Sequence, residues 1–316
     1  DPGILVNNRS SLSSEDMFIQ KLDANGNLIW VKQIEGGWGA STLDPNGYIY
    51  TVGTFIDTLD LDPNAGVSEV VSVGQADIFI QKLDLDGNFI WGKSEGGSDM
   101  DHASAVCIDA NGNVCITGGF NGVADFDPDA GVNNLTSQGF SDIFIQKLDA
   151  SGGFVWAKQM GSNGSDGGSS ITADENGDLY VAGNFMGAVD FDPSGGTTVL
   201  TSVGFADAFV LKLNPGGDLL WAKDMGGDSF TAAEIVHVLS NGEVLSVGTF
   251  QGTSDFDPSN GSDSLTSQGF SDIFMQLLDA NGNYLWTEQI GGTSYDLIGG
   301  VDIDLSLIHI SEPTRL

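Results

Sequence analysis

The side chains whose type and spacing could do chemistry are carboxylates. Asp60-Leu61-Asp62-Pro63 recurs as Asp125-Phe126-Asp127-Pro128, Asp190-Phe191-Asp192-Pro193 and Asp255-Phe256-Asp257-Pro258, with 65 residues between successive copies. Acids at i and i+2 fall on one face of an extended strand, where like charges need a counter-ion or water. Asn64, Asp129, Ser194 and Ser259 follow at i+4, and Gly66, Gly131, Gly196 and Gly261 at i+6. Oxygen donors at i, i+2 and i+4 ahead of a glycine bend suit Ca²⁺, which takes 6 to 8 oxygens on a flexible backbone. Calcium is therefore the candidate cofactor, with Asp60, Asp62, Asp125, Asp127, Asp190, Asp192, Asp255 and Asp257 as candidate ligands. The match to a helix-loop-helix calcium site is incomplete, because the glycine falls one place late and no glutamate closes the loop. The competing reading has each Asp capping a turn by accepting backbone amides while Pro ends the strand.

Other reactive types are few. His102 follows Asp101 ahead of a strand, and His237 occupies the column held elsewhere by Thr42, Cys107 and Thr172. No Ser or Cys is tied to either histidine by a nucleophile motif, and the carboxylate pairs that glycoside hydrolysis would use repeat too regularly to single one out. Trp38 stands outside the main tryptophan column. Cys107 and Cys115 are placed to face each other across a hairpin; Thr42 with Tyr50 and Thr172 with Tyr180 hold the same places, so the fold requires no bond there and free thiols are the expectation.

The elements that must position these groups follow from a repeat. Trp30, Trp91, Trp156, Trp221 and Trp286 are separated by 61, 65, 65 and 65 residues, and a fixed period of this kind decides the architecture. Asp77-Ile78-Phe79-Ile80-Gln81-Lys82-Leu83-Asp84, Leu85-Asp86-Gly87-Asn88 and Phe89-Ile90-Trp91 read as strand, tight turn, strand, since Asn and Gly accept the positive φ of the turn. A second hairpin follows at Ala105-Val106-Cys107-Ile108-Asp109, Ala110-Asn111-Gly112-Asn113 and Val114-Cys115-Ile116-Thr117-Gly118. Two hairpins per unit predict a four-stranded sheet, with units near 16–76, 77–141, 142–206 and 207–271 and a partial one at 272–304. The segment after each Asp-x-Asp-Pro, such as 133–139, is a candidate partner for that strand. The Asp-x-Asn-Gly turns at Asp23, Asp84, Asp149, Asp279, Asp44, Asp109 and Asp174 are too short for metal loops and read as Asx-turns. No segment has helical period.

Strands apolar on both faces need cover on both, and stacking of sheets around an axis supplies it. The sequence thus predicts an all-β β-propeller of about five four-stranded blades over 1–304, truncated at both ends, with a linear stack or solenoid as the runner-up. The Trp and Phe columns are assigned to packing between blades, because rings recurring at equivalent places bury large areas where sheets meet. Asp1-Pro2 is read as the tail of an earlier Asp-x-Asp-Pro copy. Residues 305–315 are read as a translated sequencing adapter, so 305–316 is set aside as a non-native tail.

Composition bounds the partners. Asp plus Glu number 44 against 10 Lys plus Arg, a formal charge of -34, and such a field repels phosphate backbones and excludes nucleic acid as a partner. Charged residues are only 17% and hydrophobic ones 40%, so the chain can build a core and is not a disordered acidic tail. No stretch approaches the 18 or so apolar residues of a membrane-spanning helix. Lys21, Lys82, Lys147, Lys212, Lys32, Lys93, Lys158 and Lys223 are columnar and serve to neutralise carboxylates at blade edges.

The recurring Asp-Ile-Phe-Ile-Gln-Lys-Leu-Asp, x-x-Gly-Asn-x-Ile-Trp, x-Lys-x-x-Gly-Gly and Asp-x-Asn-Gly-Asn-Val-x-Ile-Thr-Gly strings resemble the bacterial β-propeller repeat of SBBP type. The form with Asp-Phe-Asp-Pro looks like the repeats of Bacteroidetes surface proteins. The resemblance implies a secreted or cell-surface propeller and brings no established active site. The expected function is a repeat scaffold or a protein- or glycan-interaction module of a larger protein, with a carbohydrate-active enzyme carrying an acidic site at the propeller mouth as the alternative.

Overall fold

The computed structural model describes residues 16–35, 39–259 and 261–302, and every named element in it is a strand. In chain order these are β1 (Asp16–Leu22), β2 (Leu28–Glu35), β3 (Gly39–Leu43), β4 (Ile49–Phe55), β5 (Thr58–Asp60), β6 (Glu69–Val71), β7 (Asp77–Leu83) and β8 (Phe89–Gly97). The next repeat supplies β9 (Asp101–Ile108), β10 (Val114–Phe120), β11 (Val123–Asp125), β12 (Asn134–Thr136), β13 (Asp142–Leu148) and β14 (Phe154–Met160). Then come β15 (Gly167–Ala173), β16 (Leu179–Phe185), β17 (Ala188–Asp190), β18 (Val199–Thr201), β19 (Asp207–Leu213) and β20 (Leu219–Gly227). The last are β21 (Thr231–Val238), β22 (Val244–Phe250), β23 (Thr253–Asp255), β24 (Ser264–Thr266), β25 (Asp272–Leu278) and β26 (Tyr284–Ile290).

The hairpins fall where the Asx-Gly turns place them. Where an Asp opens the turn it accepts the amides two and four residues on, as Asp84 does from Asp86 and Asn88 at 2.9 and 2.8 Å. Asn214 does the same, and Leu239 stands in the place of the acid in one turn. The glycine takes the left-handed region, as Gly87 does at φ 74. Only glycine enters that region without a Cβ penalty.

The sheets are offset by half a unit from the sequence expectation. Each four-stranded antiparallel core joins the second hairpin of one unit to the first hairpin of the next: β3-β4-β7-β8, β9-β10-β13-β14, β15-β16-β19-β20 and β21-β22-β25-β26. The central pair of each is in unbroken register, for example Tyr180 opposite Lys212 and Val181 opposite Leu211. The physical reason lies in the connections. Residues 98–100 are too few to fold the first hairpin back onto the second, so β9 crosses the face of the preceding sheet and touches β3, β4 and β7. The 21 residues between β4 and β7 have room for a return, and they carry an inserted hairpin, β5-β6.

The core lies between successive sheets. One apolar cluster combines Tyr50 and Ile78 with Val114 and Phe144; the next combines Ile143 and Ile145 with Val181 and Leu211; the third joins Tyr180 and Val210 to Val244 and Phe274. A strand such as β7 is consequently buried at all seven positions. β1-β2 forms a two-stranded sheet of its own. Trp38, the partial unit beyond Asp302 and the tail at 305–316 lie outside the described residues.

Candidate functional site

The Asp-x-Asp-Pro segments build the first strand of each inserted hairpin. β11 pairs with β12, and it also bonds the edge of β8 in the preceding sheet through Ala124 opposite Gly97; β23 does the same to β20. The central Phe turns inward, where Phe126 meets Phe120 and Phe144 with centroids 5.2 and 4.7 Å apart. Phe191 and Phe256 repeat the arrangement.

The eight carboxylates are taken up mainly by main-chain amides. Asp125 Oδ1 accepts Asp127 N at 3.1 Å and Asn133 N at 2.7 Å, and Asp127 Oδ1 accepts Asp129 N at 3.0 Å. Asp60 and Asp62, Asp190 and Asp192, and Asp255 and Asp257 hold the same bonds. The i+4 acceptor faces a lysine of the preceding sheet in two copies: Lys93 Nζ lies 2.6 Å from Asp129 Oδ1, and Lys32 Nζ 2.5 Å from Asn64 Oδ1. Among the described residues no three His, Cys, Asp or Glu side chains come together as a metal-ligand set. This geometry fits turn capping; each of these amide bonds falls on Oδ1, so a cation would meet the carboxylates through Oδ2.

A second acid column carries more buried chemistry. Asp77, Asp142, Asp207 and Asp272 open the third strand of each sheet and are almost wholly buried. Asp142 Oδ2 accepts Gln138 N at 3.1 Å and Gln159 Nε2 at 2.7 Å. Its Oδ1 has no partner among the described residues, and the same holds for Asp77, Asp207 and Asp272. Burial raises Asp77, Asp142 and Asp207 above the usual carboxylate range, against the amide bonds they accept. Each carboxylate lies flat against a glycine: a Cβ on Gly161 would stand 2.1 Å from Asp142 Cγ, and one on Gly226 2.1 Å from Asp207 Cγ. The glycine five residues after Trp91, Trp156, Trp221 and Trp286 is thus room for a buried acid.

Beside this column stand Asp101 and Asp166, which cap the short links into the next sheet, 98–100 and 161–166, and Asp296 at the equivalent place after β26. Asp166 accepts Ser162 N at 2.6 Å and Met186 N at 2.7 Å. Burial pushes Asp101 up to about 6, opposed by amides of Gly97 and Asn121 and helped by the charges of Asp77 and Asp99. Thr231 replaces the acid in one junction. Glu95 stands in a column otherwise apolar (Met160, Met225, Ile290) and bonds Gln146 of the following sheet at 2.6 Å. Burial holds its carboxyl well above the ordinary range.

The two acids together hold a turn and a link side by side. Asp142 grips the turn 138–141, Asp166 the link 162–166, and the parallel bridge Ser141–Ser165 joins them. The result is a platform at one end of each of the four sheets, bearing Gln75, Phe140, Phe205 or Phe270 at its tip.

The remaining sequence candidates separate. His102 lies on β9 over Gly119, whose added Cβ would meet His102 Cε1 at 2.6 Å. His237 lies on β21 and bonds Val301 O at 3.2 Å, with the sheet begun by β15 between the two histidines. Cys107 and Cys115 are register partners with free thiols. A hydrogen bond to Cys115, reinforced by burial, pushes the Cys107 thiol up. The Trp column seats the outer turn of the next sheet: Trp156 Nε1 donates to Pro215 O at 3.2 Å, and Trp221 Nε1 to Ala280 O at 3.3 Å. Of the lysine column, Lys147 forms a buried pair with Asp109 at 3.0 Å.

Four-stranded antiparallel sheets, recurring along the chain and packed face to face through their apolar clusters, fit a β-propeller. Comparison with known proteins agrees at the level of the repeat: residues 155–184 match the family model of the SBBP beta-propeller repeat. An uncharacterized WD repeat-containing protein of Acanthamoeba polyphaga mimivirus is 26% identical over 271 residues, covering 72% of this chain and 19% of that protein. The regulatory protein FlaEY of Caulobacter vibrioides is 28% identical over 127 residues, covering 39% of this chain and 13% of that one. The chain therefore spans less than a fifth of the length of these curated relatives. A solved structure of a protein of unknown function from Bacteroides caccae aligns at a TM-score of 0.36 with 10% identity, over 84% of this chain and 87% of that one. Among the described residues, no helix is long and apolar enough to cross a membrane.

Proposed function

We propose that the chain is a β-propeller module of a larger secreted or cell-surface protein, serving as a rigid scaffold that presents a surface to a protein or glycan. One observation carries this reading: the recurring acids are engaged by turn and link amides or by tryptophan-flanking lysines, which is the use a scaffold makes of them. His102 and His237 stand on separate sheets, which favours a module that binds over an acid-base enzyme at the mouth. The resemblance to exported repeat proteins supports a place outside the cell.

In this reading the blades surround a hub, with four complete sheets and β1-β2 as the outer half of a fifth. The exposure of Phe18 supports that assignment. It is 62% exposed, whereas its counterparts Phe79, Phe144, Phe209 and Phe274 are all at 0%. Small-angle scattering tests the arrangement. A ring of 316 residues has a radius of gyration of about 20 Å; a markedly larger value with an elongated profile refutes it. Calcium enters as a stabiliser of the Asp-x-Asp-Pro loops through the Oδ2 oxygens, which these amide bonds do not use, and calorimetric titration with Ca²⁺ reads that directly.

A further inference from the structure

The platforms at the sheet junctions carry exposed aromatic rings that packing does not use. Phe140, Phe205 and Phe270 are 78, 65 and 66% exposed and stand at equivalent places, while Tyr295 is 64% exposed. Phe270 and Tyr295 are stacked, with centroids 4.9 Å apart and planes 12° from parallel; Phe205 leans on Phe230 at 6.5 Å. These rings differ from Phe79, Phe144, Phe209 and Phe274, which are wholly buried, and their recurrence at one place of the repeat sets them apart from apolar residues scattered singly over a surface.

Their carriers are fixed. Phe140 N donates to Gly164 O at 3.0 Å, Phe205 N to Ser229 O at 3.0 Å, and Phe270 N to Ser294 O at 3.1 Å. The glycine before each Phe lies against the link: a Cβ on Gly139 would be 2.5 Å from Ser162 O, and one on Gly204 2.4 Å from Gly227 O. Buried Asp142, Asp207 and Asp272 hold the same turns from beneath. A surface fixed before its ligand arrives loses little conformational freedom on binding.

We propose that this face binds a neutral polysaccharide, whose sugar rings lay their C–H faces on Phe140, Phe205 and the Phe270–Tyr295 pair. Three observations select that occupant. The rings recur at equivalent places on three successive sheets, with Gln75 in their place on the first, and such a periodic row suits a polymer of repeating units. Exposed hydrogen-bonding groups flank them, Gln138 and Asn163 beside Phe140, Asp228 beside Phe205, and Gln268 and Ser294 beside Phe270, and these suit hydroxyls. The net charge of -34 repels acidic polymers. The inference deepens the interaction-module reading and rests on it.

The test is affinity electrophoresis of the whole chain through gels cast with soluble β-glucan, galactomannan or xylan, and with alginate as the acidic comparison. The expected result is retardation by at least one neutral polymer and none by alginate. F140A, F205A and F270A should each weaken retardation about three- to tenfold, from the loss of one stacked ring, and the triple variant should abolish it. Because the rings are exposed, the triple variant keeps the parent melting temperature and scattering profile. No retardation in any neutral gel, retardation by alginate alone, or retardation that survives the triple substitution each overturns the proposal. So does self-association on gel filtration that the triple substitution removes, because the face is then an interface between copies. An unchanged ring-like scattering profile alongside a negative gel sinks this inference and leaves the scaffold reading standing.

Discussion

Gly161→Ala puts a methyl group where the Asp142 carboxyl lies. The added Cβ would stand 2.1 Å from Cγ and 2.4 Å from each carboxylate oxygen, so the carboxyl must leave. Leaving breaks its bonds from Gln138 N and Gln159 Nε2 in a site with no solvent to replace them. Hydrogen bonds to a charged group contribute about 1.5–3 kcal/mol each, so the loss of two costs about 3–6 kcal/mol. Gly167→Ala is the control, because a Cβ there meets nothing within 4 Å and costs about 0.5 kcal/mol or less. Urea unfolding followed by tryptophan fluorescence measures both. The cycle with Asp142→Gly is decisive: at the equivalent sites the Asp Cβ itself would stand 2.6 Å from the added methyl, so only removal of the whole side chain makes room, and Gly161→Ala costs little in that background. Equal costs at Gly161 and Gly167, or additive effects of Gly161→Ala and Asp142→Gly, would refute the steric account of this glycine.

Acid should stabilise the fold. Asp101 sits at about 6 against an ordinary 3.8, so between those values the folded chain holds a proton that the unfolded chain has released. Stability from this group is full below about pH 4 and is lost as pH climbs through 6, by up to about 3 kcal/mol. Melting temperature should fall from pH 4 to 7, and Asp101→Asn should flatten the slope; a rise over that range contradicts the burial argument. Phe144→Ala, in the cluster with Phe126, should cost about 3–5 kcal/mol in thermal melts, whereas Phe18→Ala should cost about 0.5 kcal/mol or less. Trp156→Phe removes the bond to Pro215 O and the part of the indole that packs on Gly217 and faces Lys147, and should cost about 1–3 kcal/mol by the same melts.

Much of the fold is legible in the residues. The Asx-Gly turns set each hairpin, and counting outward from Ala110-Asn111-Gly112-Asn113 places Cys107 opposite Cys115, as the register has it. The Trp column reads correctly as packing between neighbours. Which hairpins share a sheet is not legible, because both carry the same alternation and only the contrast between a link of three to six residues and a long return decides. The junction site is hidden for a different reason. Asp142 and Gly161 are distant in sequence, and nothing local says that one needs the other to lack a side chain. Phe140 reads as one more aromatic residue, since turn sequence does not say whether a ring points to water. The Asp-x-Asp-Pro spacing suits an ion and a capped turn equally, and the amides that fill it belong to the folded loop.

The claim on which the account turns is that each sheet joins hairpins from adjacent units. Oxidative trapping tests it directly: Ala182→Cys with Val210→Cys, in a chain carrying Cys107→Ser and Cys115→Ser, places thiols on register partners of β16 and β19, whose Cα atoms lie about 5 Å apart. The account predicts one rapid intramolecular crosslink in the folded protein; two thiols that both stay open to alkylation would contradict it.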